Sequence, residues 1–152
     1  MDRLFNTPFE TGLRAMLILY STNTRGMSID RIVAYDFMTI YGDEFGVSET
    51  SLHGSNQFNF SEYPSKRDIF SEGVKRLVLD GLIGVSRSKR GFLYFLTQAG
   101  KKYVASLDSD YKNQYLDILE NVKSKYHSTT DVKLAMVINN AAVHALQGGF
   151  NE

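Results

Sequence analysis

Along the first third of the chain the apolar residues keep a helical period. Phe9, Leu13, Met16, Leu17 and Tyr20 recur at three- and four-residue spacing, and Ile18 and Leu19 broaden the stripe. That pattern predicts a helix almost surrounded by protein. Thr7 can cap its start, Pro8 suits the first helical position, and Glu10 can complete a capping box. A second helix is predicted from Ser28, where Met27 and Ile32 have the spacing of a hydrophobic staple and Tyr35, Phe37, Met38 and Tyr41 extend the stripe to Gly42. The period is then lost from Gly42 to Pro64, a stretch rich in Gly, Ser, Asn and Glu that still carries Phe45, Phe58, Phe60 and Tyr63. Structureless segments this long inside a compact domain are uncommon and tend to be functional or disordered. Helical spacing returns after Ser65 with Ile69, Phe70, Val74, Leu77 and Val78, and ends at Asp80-Gly81.

The period next changes to that of strands. Leu82, Ile83 and Val85 lead into the polar turn Ser88-Lys89-Arg90-Gly91, and the run Phe92 to Leu96 returns, which predicts a β-hairpin. Thr97 restarts helix, Ser109 caps another, and the segment from Thr130 to Leu146 reads as a last one, stopped by Gly148-Gly149. Three helices, a hairpin and three helices give a mainly α fold with a small β-hairpin, expected to be a winged helix-turn-helix with additional C-terminal helices. The passage from Gly73 to Ile83 is its most telling piece: a helix reverses on Gly81 and enters a strand at once. Residues 1–107 are expected to form the winged-helix domain, and residues 108–152 a helical extension packed on it or on a partner.

Composition changes this picture little. The 152 residues suit one domain, and 43% hydrophobic with 22% charged residues is ordinary for a globular chain. The absence of cysteine excludes disulfides, thiolate metal sites and a Cys nucleophile. The opening MDRLFNTPFETG lacks the pattern of a signal peptide, and the apolar run Ala15 to Tyr20 falls far short of the roughly 20 residues that span a bilayer. A cytoplasmic protein without membrane contact is expected.

Charge distribution matters more. The 17 basic and 17 acidic residues cancel, but residues 28–64 carry one basic and six acidic groups, whereas residues 65–103 carry nine basic and three acidic. The basic block falls on the third helix and the hairpin, with Lys66 and Arg67 at the helix start and Arg87, Lys89 and Arg90 at the hairpin tip. These five are candidate contacts for DNA or an acidic partner. Two features oppose sequence-specific reading. The connection from Gly42 to Pro64 far exceeds the roughly three- to four-residue turn of a DNA-reading helix-turn-helix. The helix itself offers Ser65, Lys66, Asp68 and Ser71, with no Asn or Gln for base edges.

Catalysis finds no support. His53, His127 and His144 are scattered without metal-ligand spacing, no phosphate-binding loop is present, and nothing assembles a nucleophile, a base and an oxyanion site. No cofactor, metal or catalytic residue is expected. Aromatics in a polar loop either cover the domain's own core or anchor a partner. Phe45, His53, Phe58, Phe60 and Tyr63 are taken as candidate partner-binding residues.

The opening Phe5 to Arg14, the Ser51-Leu52-His53 stretch, and the segment from Glu72-Gly73-Val74 to Gly81-Leu82-Ile83 resemble the middle components of bacterial ABC-three-component systems. The similarity covers about residues 5 to 126. Lamassu-type anti-phage defence systems belong to this group. The resemblance implies a winged-helix subunit that pairs with an ATPase resembling structural-maintenance-of-chromosomes proteins and with an effector nuclease. It implies a non-enzymatic adaptor between the two, and it transfers no catalytic residue; weak contact with DNA or an acidic partner is expected from the Lys66, Arg67 and hairpin-tip cations. The rival is a winged-helix transcription regulator that binds DNA and dimerises through its C-terminal helices.

Overall fold

Helix starts that the sequence marks with a hydroxyl are capped by it. The side chains of Ser28, Thr97 and Ser109 accept from the backbone N–H groups of Arg31, Gly100 and Lys112, each at 3.1 Å. Each bond satisfies one of the donors left over in a first turn and stabilises its helix by about 1 kcal/mol. The computed structural model describes residues 8–22, 26–53 and 63–150, with side chains described as far as residue 144. In chain order these form α1 (Pro8–Thr22), α2 (Ile29–Ile40), a 3-10 turn (Gly42–Phe45), α3 (Tyr63–Leu79), β1 (Ile83–Ser88), β2 (Gly91–Leu96), α4 (Gln98–Ser106), α5 (Asp110–Tyr126) and α6 (Asp131–Phe150). The protein is mainly helical with one two-stranded antiparallel hairpin.

Gly81, at φ 80°, provides the left-handed turn that ends α3 and admits β1. The hairpin register runs from Ile83 opposite Leu96 to Ser88 opposite Gly91. Its core-facing pair, Ile83 and Leu96, is buried. Met27 adds a one-residue bridge to the far edge of β2, exchanging two backbone hydrogen bonds of 2.9 Å with Tyr94. The hairpin is thus tied to the chain just ahead of α2, a long-range link that local spacing does not reveal. Where β2 turns into α4, the backbone of Gly100 lies so close to the Leu82 carbonyl that a Cβ there would stand 2.1 Å from the oxygen.

α1 packs chiefly along α3 and also touches α2, α4, α5 and β2, so it is the central helix. Ala15, Met16, Ile18 and Leu19 are buried within it. α2 is buried from Ile32 to Ile40 and meets α3, α5 and α6. Tyr115, Leu119 and Val122 of α5 have no exposed surface, and Leu134 and Ile138 of α6 are buried as well. One hydrophobic cluster therefore runs from Ala15 to Ile138 and crosses the expected boundary at residue 107.

Some expectations differ from the observed elements. Phe9 occupies the first turn of α1, beyond the reach of the core, and is 68% exposed. α3 begins at Tyr63, two residues ahead of Ser65, because proline is accommodated in a first helical turn. α6 continues through Gly148-Gly149 to Phe150. Glycine costs about 1 kcal/mol in a helix interior but does not oblige it to stop. Thr7 and residues 54–62, including Phe58 and Phe60, lie outside the described residues.

Candidate functional site

The hairpin turn is organised by Ser88. Its hydroxyl accepts from the N–H of Arg90 at 3.1 Å and donates to the carbonyl of Gly91 at 3.0 Å. Arg87 faces Phe92 across the strands, with its guanidinium 5.7 Å from the ring centroid. Arg87, Lys89, Arg90 and Phe92 are all exposed, as are Lys101 and Lys102 on α4. Residues 81–107 contain five basic residues and no acidic one. The hairpin tip therefore presents cations beside an aromatic ring, a combination that suits phosphate groups or an acidic protein face.

The two cations at the start of α3 differ from that expectation. Lys66 is 2% exposed. Its Nζ lies 3.9 Å from Asp36 Oδ2 and 5.6 Å from the ring centroids of both Phe37 and Tyr41. It is a core residue with no surface to offer DNA, which corrects its assignment as a contact. Arg67 is exposed, but its Nε donates to Asp30 Oδ1 at 2.7 Å, so α2 compensates its charge. The outward side of α3 mixes Asp68 and Glu72 with Lys75 and Arg76.

The three candidate loop residues that are described, Phe45, His53 and Tyr63, are drawn inward. Phe45 is buried, with its ring 6.0 Å from that of Phe37. Tyr63 meets the same ring edge-on at 5.0 Å. Burial, together with the nearby charge of Asp30, pushes the Tyr63 hydroxyl up to about 12. His53 Nε2 is 2.7 Å from the Tyr111 hydroxyl and the two rings stack. Phe45, His53 and Tyr63 thus fasten the segment to the domain. An aromatic residue in a polar segment gives no local clue to a partner ring held by a distant helix.

Sequence reasoning missed the group at the centre of the molecule. Arg14 of α1, Asp36 of α2, Lys66 of α3 and Tyr115 of α5 converge inside the core. The Tyr115 hydroxyl donates to Asp36 Oδ1 at 2.6 Å. Burial alone would raise the Asp36 carboxyl, but the charges of Arg14 and Lys66 and the bonds from Arg14 and Tyr115 outweigh it and hold the group below the usual carboxylate range. Tyr115 moves the other way, pushed well up by burial and by the Asp36 charge. The cluster joins four helices through one carboxylate. Arg14 and Asp36 both stand within apolar runs, which was a usable signal, since buried charges are rarely left unpaired.

Arg31 does similar work nearer the surface. Its guanidinium donates to the carbonyls of Thr129, Tyr126 and His127 at 2.7, 3.0 and 3.2 Å. It also donates to Asp131 Oδ1 at 3.0 Å. The end of α5 and the start of α6 are held to α2 by this one side chain.

Among the described residues, clefts lined by different residues include a more polar one of about 250 Å³ between Glu10, Arg14, Asp108 and Lys112 and two more apolar ones. One, of about 540 Å³, runs between α2 and α6 and is lined by Ala34, Tyr63, Val132, Met136 and Asn139. The other, of about 160 Å³, is lined by Phe9, Leu13, Leu77, Leu82 and Tyr103. Among the described residues, no group of three or more His, Asp or Glu stands together as a metal site, and no helix is long and apolar enough to cross a membrane.

Comparison with protein families gives one match: residues 4–148 fit the family described as ABC-three component (ABC-3C) system Middle Component 2. Neither the curated proteins nor the solved structures contain a match.

Proposed function

Because the chain belongs to the middle component 2 family of ABC-three component systems, we propose that it is a non-catalytic winged-helix adaptor in an anti-phage defence complex of Lamassu type. In this reading it bridges an ATPase resembling structural-maintenance-of-chromosomes proteins and an effector nuclease. The winged-helix reading is supported by the order α1, Met27 bridge, α2, α3, β1, β2, in which a one-residue bridge before the second helix pairs with the hairpin. The hairpin would then be the wing.

The observation that carries the adaptor reading, beside the family, is the use to which the ionisable core groups are put. Arg14, Asp36, Lys66 and Tyr115 hold helices together, while other apolar side chains and cations stand outward. Two apolar clefts lined by different residues supply the separate faces that a bridging subunit requires. The test is co-expression with the neighbouring genes, affinity capture through this chain, and mass spectrometry of what elutes. Recovery of a coiled-coil ATPase together with an effector supports the adaptor; recovery of the chain alone under the same conditions overturns it.

A DNA-binding transcription regulator is the second reading, favoured by the wholly basic segment 81–107. It is opposed by α3, whose outward charges are of both signs and whose Lys66 is buried. Saturable binding of the isolated chain to one duplex sequence, at nanomolar affinity and physiological salt, would favour the regulator.

A further inference from the structure

One face of the hairpin leaves the core and ends in an open aromatic ring. Side chains alternate along a strand, so the register puts the pairs Ile83–Leu96, Val85–Tyr94 and Arg87–Phe92 on the same face. Ile83 and Leu96, at the base, are buried, whereas Val85 is 40% and Phe92, at the tip, 53% exposed. Other apolar side chains of β2 are used within the domain. Leu93 lies against Gly26, and the Phe95 ring lies across Gly84, where a Cβ would stand 2.4 Å from it. Phe92 instead has the Arg87 guanidinium beside it, 5.7 Å from the ring centroid. Among the described residues, Arg87, Lys89 and Arg90 enter no ion pair. The sequence places no carboxylate side chain between Asp80 and Asp108.

We propose that this face binds single-stranded nucleic acid, with an unpaired base stacked on the Phe92 ring and the flanking phosphates held by Arg87, Lys89 and Arg90. Charge selects a polyanion: three cations fall within residues 87–90, and neither strand carries an acid to oppose them. The ring then selects among polyanions. Peptide carboxylates have no use for an open aromatic face, and a duplex keeps its base faces stacked on one another. An unpaired base presents its face, and an aromatic platform beside cations that follow the backbone is the general way single strands are held. The cations are also placed in advance. The two Ser88 hydroxyl bonds set the turn that carries Lys89 and Arg90, which reduces the ordering that binding has to impose. Outward charges on α3 are of both signs, so the contact is confined to the hairpin. The inference stands apart from the adaptor reading, because it concerns one hairpin of the isolated chain and not the proteins that the chain bridges.

The test is fluorescence anisotropy of the full chain with a labelled oligothymidylate of about 15 nucleotides. A duplex and an abasic strand of the same length serve as comparisons, and poly-glutamate as competitor. Oligothymidylate is expected to bind roughly tenfold more tightly than either comparison, the abasic strand offering the same phosphates without a base to stack. Phe92→Ala should weaken oligothymidylate binding by roughly tenfold and leave its salt dependence unchanged. Arg90→Gln should instead flatten the logarithmic salt slope by about 0.7. The native chain has no tryptophan, so Phe92→Trp introduces a single indole. That variant should keep its affinity, and its emission should be quenched by the strand. Thermal melts of all three variants should match the native one, since both positions are exposed. Equal binding of abasic and base-bearing strands overturns the proposal, as does native affinity in Phe92→Ala. Tighter binding of the duplex overturns it too. So does poly-glutamate that displaces the strand at equal charge concentration, because the face then belongs to an acidic protein.

Discussion

Arg14 and Asp36 meet inside the core through two hydrogen bonds, Nε to Oδ1 at 2.8 Å and Nη2 to Oδ2 at 3.3 Å. Both side chains are withdrawn from water, so the paired arrangement joins α1 to α2 at a point where neither charge could be left alone. Breaking a buried pair by removing one partner typically costs about 3–5 kcal/mol, since the surviving charge is stranded. Replacing every member by apolar groups of similar size is often neutral.

Asp36→Leu should therefore destabilise the protein by roughly 3–5 kcal/mol, leaving Arg14 and Lys66 buried without their carboxylate. Adding Arg14→Met and Lys66→Met to that variant should recover most of the loss. Urea unfolding of the native, single and triple variants measures both numbers. A single variant within about 0.5 kcal/mol of native would remove the cluster's structural role.

The same carboxylate sets the acid limit of stability. A group whose folded value is depressed contributes stability above its unfolded value of about 3.9, and loses it as pH falls through the lower, folded one. Asp36 is such a group, so unfolding free energy should decline steadily below about pH 4. In Asp36→Asn that part of the decline should vanish. Tyrosine gives the mirror-image limb. With Tyr63 raised to about 12 by burial and Asp30, stability should fall as pH climbs from about 10 towards that value.

The hairpin cations should act on binding alone. With Lys66 buried and Arg67 paired to Asp30, the contact reduces to Arg87, Lys89 and Arg90. If these three meet phosphates, duplex binding should weaken roughly 40-fold between 50 and 200 mM salt. Reversing all three to Glu should abolish it while changing stability by less than about 0.5 kcal/mol. Fluorescence anisotropy across a salt series, paired with a thermal melt, separates these effects; a flat salt response would dismiss phosphate contact.

Arg31→Met should loosen the C-terminal helix without unfolding the core. Four hydrogen bonds to the α5–α6 junction are lost with that guanidinium. Amide exchange at residues 127–140 should accelerate at least tenfold while residues 32–40 remain protected. Uniform acceleration across both would mean that Arg31 serves global stability instead.

What could be read from the sequence was the chemistry that acts over a few residues. The caps at Ser28, Thr97 and Ser109, the turn at Gly81 and the two hairpin runs are local patterns with local causes. What escaped was set by partners far along the chain. Lys66 stands among polar neighbours and looked exposed, yet its counter-charge is 30 positions earlier, on another helix. Phe45 and Tyr63 lie in a polar stretch, and only the placement of Phe37 shows that they are packed inside. The Met27–Tyr94 bridge has the same long range.

The position of Arg31 and Asp36 on a single helix has a mechanical consequence. Arg31 grips the α5–α6 junction, and about one and a half turns further along α2 Asp36 holds α1, α3 and α5. A tug on α6 is therefore delivered through α2 to the charge that anchors the other helices. α2 is the strut through which strain arriving at the C-terminal end reaches the middle of the molecule.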